Sequence, residues 1–501
     1  MKHSTTVNTY SNIFSRYIRS SFYSDILNRN LNYIFLFLCQ FFLFKFLYPF
    51  PSFFSDSNSY ISAAASHLGA NIWPVGYSKF LLLFHNITHS STALTLFQYI
   101  LFELIALYFY RTILFFFSPT RLSAVVLQIF LFFNPLNLFL ANLISSDGPF
   151  AALSLLWLTT LIWLIYKPSF AHLIILTAVC FIAFTFRYNA MYYPIISAPI
   201  FIFSNKSLWF KLIGVLSPPL LILPFILYTS NAAKEMSGTS QFPPILGGWQ
   251  WANNALYIRE YINEDSTHFP SAEISELDQL ARDFYRRVPQ ANRELRSYVG
   301  NYFIREPRSP LKLYMAMHYG DDTSNYGVTA WAKSAPLFKD YGLYLIKKHP
   351  IPFATYFMIP NSKNYLIPPL EKLKVFNIGS RHISKNAAIW FDYPSQNVSA
   401  ASITLQGYLL AFYPYLFFLL NVWFVFNLIV LLKNIRGLRP NLRRHQTMLL
   451  LIVLVVLNAA FSIFANIVVF RYQIFPLYTL LLINLLAAEF IQQNNKKLTT
   501  P

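Results

Sequence analysis

Repeated apolar runs of about twenty residues, each closed by Lys/Arg clusters, Pro or polar turns, constrain this 501-residue chain more than any other feature. A helical crossing of a hydrocarbon core needs ~20 consecutive mostly apolar residues, because backbone polar groups have no water to bond there. With 55% hydrophobic, 19% aromatic and 12% charged residues, the chain falls outside the composition of ordinary soluble domains. The reading is an all-α polytopic membrane protein with about ten transmembrane helices, over 31–50, 91–110, 122–141, 148–166, 171–186, 189–204, 209–229, 404–432, 447–467 and 470–490. One long polar insert, 231–403, lies between the seventh and eighth runs and reads as a mixed, mainly helical external domain. The first run ends in "LYPFPS" rather than a small-residue cleavage site, so a retained helix is expected in place of a removed signal peptide.

Lys and Arg in short loops favour the cytoplasmic side. The segment "RYIRSSFYSDILNRN", Arg111/Arg121, Lys167, Lys206/Lys211, "KNIRGLRPNLRRHQ" and Lys496/Lys497 all fall on one side of the ten runs. That side is read as inside, with a cytoplasmic N-terminal segment at 1–30 and a cytoplasmic tail at 491–501. The opposite face then carries the loop 51–90, the turns at Asp147, Arg187 and Arg471, and the insert. The formal net charge of +19 is accounted for by this topology signal, and no nucleic-acid partner is inferred. Cys39 and Cys180 both lie in apolar runs and offer no disulfide framework.

Acidic residues are sparse and unevenly placed. Of twenty, fifteen lie between Glu235 and Asp392, and Asp25 and Glu489 flank the terminal runs. Asp56, Glu103 and Asp147 remain, and a carboxylate in or beside hydrocarbon calls for a functional hypothesis. Glu103 sits inside the second run, where a partner on a neighbouring helix such as Lys45 is the simplest account. Asp56 in "SDSNSYISAAASHL" and Asp147 in "SSDGPF" both stand at helix starts, where a capping role is an alternative for each. Their recurrence on one face is matched by two cations, Arg187 in "FTFRYNAMYYP" and Arg471 in "VVFRYQIFPLY". A boundary arginine is often a lipid-headgroup contact. Two on the face that positive-inside statistics disfavour point to a phosphate.

Asp followed four residues later by Tyr ("SDSNSY"), the "WPVGYSKFL" segment, "SSDGPF" before the fourth run and Arg-Tyr at two later outer ends resemble the GT-C glycosyltransferases. Among these the pattern is most similar to the protein O-mannosyltransferase and lipid A aminoarabinose transferase group, over about 30–230 and more weakly over 404–490. The chain departs from the Asp-Glu pair frequent in that group, since Asp56 is followed by Ser57. The resemblance implies an enzyme that moves a sugar from a polyprenyl-phosphate donor to an acceptor hydroxyl on a glycan, lipid or protein at the outer face, with inversion. Asp56 is then the expected base, Arg187 and Arg471 the donor-phosphate ligands with Lys79 as a third cation, and Asp147 an orienting acid. Tyr60, Tyr77 and Tyr188 are expected to shape the substrate site.

No cofactor is called. A divalent metal has no clear ligand set, for His67, His85 and His89 have no persuasive spacing. "GGWQWANNALY" (247–257) and the Pro- and Tyr-rich 347–369 suit sugar stacking and hydroxyl recognition, although interfacial aromatics read the same way. The sequons at Asn86 and Asn397 matter only in a glycosylating compartment, and a bacterial inner membrane is the expected location. A polymerase or ligase acting on undecaprenyl-diphosphate-linked glycans, and a transporter, are the alternative functions. The first shares the large outer loop and outer arginines; the second calls for a midplane site and repeat symmetry not evident here.

Overall fold

The structure is a computed structural model that describes residues 31–264, 269–288, 300–320, 328–433, 442–465 and 467–499. The expected N-terminal segment 1–30 and most of the basic 433–446 loop lie outside those residues. Among the described residues seven helices are long and apolar enough to cross a membrane: Ser91–Phe117, Arg121–Ala141, Asp147–Tyr166, Leu208–Ser237, Leu405–Lys433, Leu442–Ala465 and Ile474–Gln492. Two shorter apolar helices, Leu31–Leu47 and Phe170–Phe186, accompany them. The sixth run yields only Tyr193–Ile202, ten residues with Pro199 inside, preceded by a 3-10 turn at Tyr188–Tyr192. At 1.5 Å per residue that helix is about 15 Å long, half a hydrocarbon core. Among the described residues there is no strand, only isolated bridges at Ser52–Leu143 and His382–Asn397.

Helix starts follow local chemistry. Ser90, Thr120, Ser169 and Ser207 each accept a hydrogen bond from an amide of the helix that follows them. Glu489 joins the opposite end of the chain to one of these caps, accepting from the Thr120 amide at 2.7 Å and its hydroxyl at 2.9 Å. Polar side chains inside the bundle pair with each other, as an apolar medium demands. Glu103 accepts from Asn137 at 3.0 Å, whereas Lys45 donates to Asn142 at 2.8 Å, so the two do not form the expected pair. The reason is spatial: each faces an amide from the segment 134–142, which lies closer than the other's charge.

The stretch 231–403 contributes mainly to two cores, with Ile245, Val328 and Ala332 in a small third cluster. Trp249, Leu256, Leu277, Phe303, Phe338 and Tyr341 belong to one that is its own. Ile274, Leu277 and Ala281 of Ala272–Arg287 point into it, while Leu280 is only half-buried. Gly248 lets Leu246–Arg259 press against Val328–Lys348, because a Cβ there would meet the Ala335 carbonyl oxygen at 1.9 Å. Asp278 is fully buried in this unit and is satisfied by Arg259 at 2.5 Å, Arg282 at 2.8 Å and Tyr341 at 3.1 Å. From Tyr365 onward the chain instead packs into the core of the membrane helices, with Leu373, Phe376, Phe391 and Val398 in the same cluster as Phe53, Tyr60 and Phe470. That return path carries residues of the insert to the loops after the first and before the last apolar helix.

Candidate active site

Four segments meet at one point. Ser55–Ala65 brings Asp56 in its first turn, Asp147–Tyr166 brings Asp147 as its first residue, Phe170–Phe186 ends on Arg187, and the turn Phe470–Tyr472 presents Arg471. Gly76 fixes part of this packing: a Cβ there would lie 2.4 Å from the Thr185 carbonyl, so the "PVGY" turn abuts the backbone two residues before Arg187.

Arg471 is the hub. Its Nη1 donates to Asp56 at 3.1 Å and to Asp147 at 2.8 Å, and its Nε to Glu371 at 3.3 Å. Arg187 binds the other oxygen of Asp147. Lys372 donates to Asp56 at 2.8 Å, and Arg305 binds Glu371. Ser145 donates to Asp147 at 2.8 Å. Neither carboxylate acts as a helix cap through its side chain, since both are committed to this ion web. Asp56, Asp147 and Arg471 retain 6%, 3% and 5% of their surface, which places their charges in a medium where pairing is strong.

Burial alone would raise the Asp56 carboxyl. The charges of Lys372 and Arg471 outweigh it and hold Asp56 well below the ordinary carboxylate range. Glu371 is likewise held low, against its burial, by Arg471, Lys372 and Arg305. Burial pulls Lys372 below the ordinary lysine range despite its pairing with Asp56. Because the folded carboxylate is depressed, its contribution to stability is complete at neutral pH and lost only as pH falls from the unfolded value of about 3.9 toward the folded one. The expected result is a thermal midpoint that Asp56 leaves level from pH 7 to 5 and lowers below about pH 4. Light-scattering melts of wild type and Asp56→Asn across that range check it, the variant showing a shallower acid fall.

Three cavities open around the web. The first, about 370 Å³, is lined by Asp147, Arg187 and Arg471 together with Ile196, Leu454, Leu457, Phe461 and Phe475. The second, about 390 Å³, is lined by Tyr60, Trp73, Tyr188, Asn189 and Arg187, with Gln250, Trp251 and Asn254 from the insert. The third, about 660 Å³, exposes Asp56, Ser59, Glu371, Lys372 and Arg471 beneath Trp331. Tyr472 lines all three. Its ring lies 4.0 Å from the Arg187 guanidinium and 4.5 Å from that of Arg471, so it holds two like charges side by side by cation–π contact. Tyr472→Phe should leave the melting midpoint nearly unchanged and Tyr472→Ala should lower it by several degrees, since each lost contact is worth ~1–2 kcal/mol; thermal melts of the two variants check this.

The structure therefore brings Asp56, Asp147, Arg187 and Arg471 together. Tyr60 stands beside them, its hydroxyl 2.9 Å from Ser146 and its ring edge-on to Tyr77 at 4.9 Å. Tyr77 turns away and donates to Gln98 at 2.8 Å. Tyr188 packs on Phe184 and Phe242 at the rim of the second cavity. Lys79 is elsewhere, its ammonium 3.4 Å from the His67 carbonyl, because the helix Gly76–His85 turns Tyr77 inward and Lys79 outward. His85 and His89 stack at 3.9 Å, and His85 stacks on Trp390, away from the web. Among the described residues no group of three or more His, Cys, Asp or Glu is arranged to hold a metal. Of the aromatic stretches, 247–257 supplies Gln250, Trp251 and Asn254, whereas 347–369 supplies no lining residue to these cavities.

Sequence reasoning missed Arg305, Glu371, Lys372 and Tyr472. The first three belong to the polar insert, where charges are common and give no contrast. The usable signal was "PPLEKLKV": a Pro-Pro break followed by alternating charge and Leu/Val marks a short irregular segment, here a 3-10 turn at Glu371–Leu373 with Leu373 buried, rather than a solvated helix. Glu371, Asn377 and Ile378 adopt positive φ values of 51, 49 and 54°, a costly conformation for residues with a Cβ that recurs at ligand sites. Asn377 anchors the segment by accepting from the Phe53 amide at 2.9 Å and donating its own amide to Ser52 at 3.0 Å. No family model, curated protein or solved structure matches this chain.

Proposed function

We propose that the protein is a membrane glycosyltransferase that moves a sugar from a polyprenyl-phosphate donor to an acceptor hydroxyl. The observation that carries this reading is the pair Arg187 and Arg471 lining a mostly apolar cavity, with Asp56, hydrogen-bonded to Arg471, lining an adjoining one. The ten-crossing arrangement, with basic loops inside and the site outward, is part of the same proposal, as is a bacterial inner membrane.

Each cavity suits one part of the reaction. The slot of leucines and phenylalanines takes the isoprenoid and delivers its phosphate to Arg187 and Arg471. Aromatic faces and the amides of Asn189, Gln250 and Asn254 suit a sugar ring and its hydroxyls. The third cavity admits the acceptor to Asp56. The inner web holds four cations, Arg187, Arg305, Lys372 and Arg471, against three carboxylates. One positive charge is in excess, which matches the single negative charge of a phosphodiester-linked sugar.

In the reaction the acceptor oxygen forms a bond to the anomeric carbon as the bond from that carbon to the phosphate oxygen breaks. The acceptor proton passes to Asp56, and the electron pair leaves with the polyprenyl phosphate, which becomes a dianion. A phosphate needs no general acid to depart, so one carboxylate base suffices. Asp56 is a weak base while Arg471 and Lys372 hold it. As charge grows on the leaving phosphate, Arg471 has a stronger acceptor to serve, and its release of Asp56 strengthens the base when the proton becomes acidic. Attack by the acceptor on the face of the anomeric carbon opposite the departing phosphate gives inversion.

The test is transfer or slow hydrolysis of a radiolabelled polyprenyl-monophosphate sugar by purified protein in nanodiscs. Release of polyprenyl phosphate that depends on Arg187 supports the reading. Turnover of a diphosphate-linked glycan with none of the monophosphate donor moves the protein to a polymerase or ligase, and movement of either lipid without bond cleavage makes it a transporter.

A further inference from the structure

We infer that the helix 350–366 of the insert rests in the headgroup region of the bilayer, in the leaflet level with the ion web, and presents Ile351, Tyr356, Ile359 and Leu366 to lipid. This is independent of the transferase reading. The segment starts as a helix at Pro350, where a missing amide costs nothing, and Pro368 and Pro369 end it. Between them Ala354–Met358 forms a wide π turn ahead of Pro360, which has no amide to give the carbonyl of Tyr356. Phe353, Phe357, Asn361 and Tyr365 recur at helical spacing and are buried. On a helix facing water the remaining side would be polar. Here Ile351 and Ile359 keep 77% and 53% of their surface, and Tyr356 and Leu366 are exposed as well.

Two contacts fix the depth of this helix. The Asn361 side chain donates to the carbonyls of Ser462 at 3.3 Å and Ile463 at 3.1 Å, in the last turn of the apolar span Leu442–Ala465. The Tyr365 ring meets Phe417 edge-on at 5.5 Å, and Phe417 is one turn into Tyr413–Lys433, about 6 Å along its axis. Ile359–Leu366 therefore crosses two spans at the depth of their terminal turns, where side chains that do not face protein meet lipid. Tyr408 and Tyr415, exposed at the same end of the second span, mark the level as an aromatic belt does. Exposed Lys347 and Lys363 add cations suited to phosphate headgroups. The stretch 347–369 thus seats the insert on the bilayer. Because the chain runs on from it to Glu371 and Lys372, the seat also sets the height at which these two reach Arg471 and Asp56.

The test uses full-length protein in nanodiscs, with Cys39→Ala and Cys180→Ala and one spin-labelled cysteine at a time: Ile351→Cys, Ile359→Cys or Leu366→Cys. Gln279→Cys, exposed on the helix Ala272–Arg287 of the insert's own core, is the water-facing reference. Collisions of the label with dissolved oxygen and with a water-soluble nickel chelate are compared. Ile359→Cys and Leu366→Cys are expected to favour oxygen and to report a depth of about 5–10 Å below the lipid phosphates, with Ile351→Cys shallower and Gln279→Cys favouring nickel. Nickel accessibility of Ile359→Cys and Leu366→Cys equal to that of Gln279→Cys overturns the inference, as does protection of both from either reagent, which would mean protein cover. If the cysteine-free chain folds poorly, a benzophenone amino acid in place of Ile359 in the otherwise unaltered chain decides the matter. Light-driven adducts with lipid support the seat; adducts confined to protein, or none, overturn it. No readout here involves sugar transfer, so failure of either reading leaves the other standing.

Discussion

Arg471→Gln is expected to abolish transfer and to destabilise the protein more than any other single change in the ion web. Arg471 touches Asp56, Asp147 and Glu371 at once, and all three carboxylates are buried or nearly so. Removing one partner of a buried ion pair costs about 3–5 kcal/mol, because the remaining charge keeps its desolvation penalty. Here each carboxylate retains one cation: Lys372 for Asp56, Arg187 for Asp147 and Arg305 for Glu371. The cost is therefore expected near 3 kcal/mol, seen as a thermal inactivation midpoint lower by several degrees. Loss of a donor aimed at a developing oxyanion lowers rate by about 10²–10³, and the variant removes a whole charge from the proposed phosphate site. Arg471→Lys separates the two effects. An ammonium keeps the charge but lacks the planar fork that spans three carboxylates, so stability should recover in part and transfer should stay low. Normal turnover in folded Arg471→Gln would remove this residue from the chemistry.

The outline of the membrane helices was legible because its cause is local: hydrocarbon demands long apolar runs, and runs such as Ser91–Phe117 and Asp147–Tyr166 satisfy that demand within their own sequence. The Tyr193–Ile202 run reads the same by composition, yet Pro194 and Pro199 and the 3-10 turn before it leave a ten-residue helix. Asp56, Asp147, Arg187 and Arg471 stood out because a charge among Phe and Leu is a contrast that the sequence displays directly. Arg305, Glu371 and Lys372 had no such contrast. Their place in the site depends on the chain returning at Tyr365–Val398 to pack on membrane helices more than 300 residues away, and no local pattern encodes a contact such as that between Asn377 and Phe53. Lys79 erred for the opposite reason. It looked right by type and neighbourhood, but two residues along a helix from Tyr77 is a turn of about 200°, which points it to the other face.

Asp56→Asn is expected to lower the transfer rate by about 10²–10⁴-fold while donor binding persists. Asp56 rather than Asp147 is expected to carry the base for a geometric reason. Asp147 has no exposed side chain, lines only the apolar slot and is clamped by two arginines, so no acceptor hydroxyl reaches it. Asp56 lines the third cavity, the one proposed for the acceptor. The asparagine keeps shape but removes the charge that balances Lys372, whose ammonium is also buried. Part of any loss in stability therefore belongs to Lys372 and not to the chemistry. A double-mutant cycle resolves the two: Asp56→Asn/Lys372→Gln should regain most of the melting midpoint lost in Asp56→Asn and none of the rate. Donor affinity, read by competition with a polyprenyl phosphate, should hold within a few-fold in both, because Arg187 and Arg471 are untouched. A double variant that transferred sugar at the wild-type rate would show that Asp56 serves only to neutralise Lys372, and the proton would need another acceptor in the same cavity, where Glu371 is the other carboxylate among the described residues.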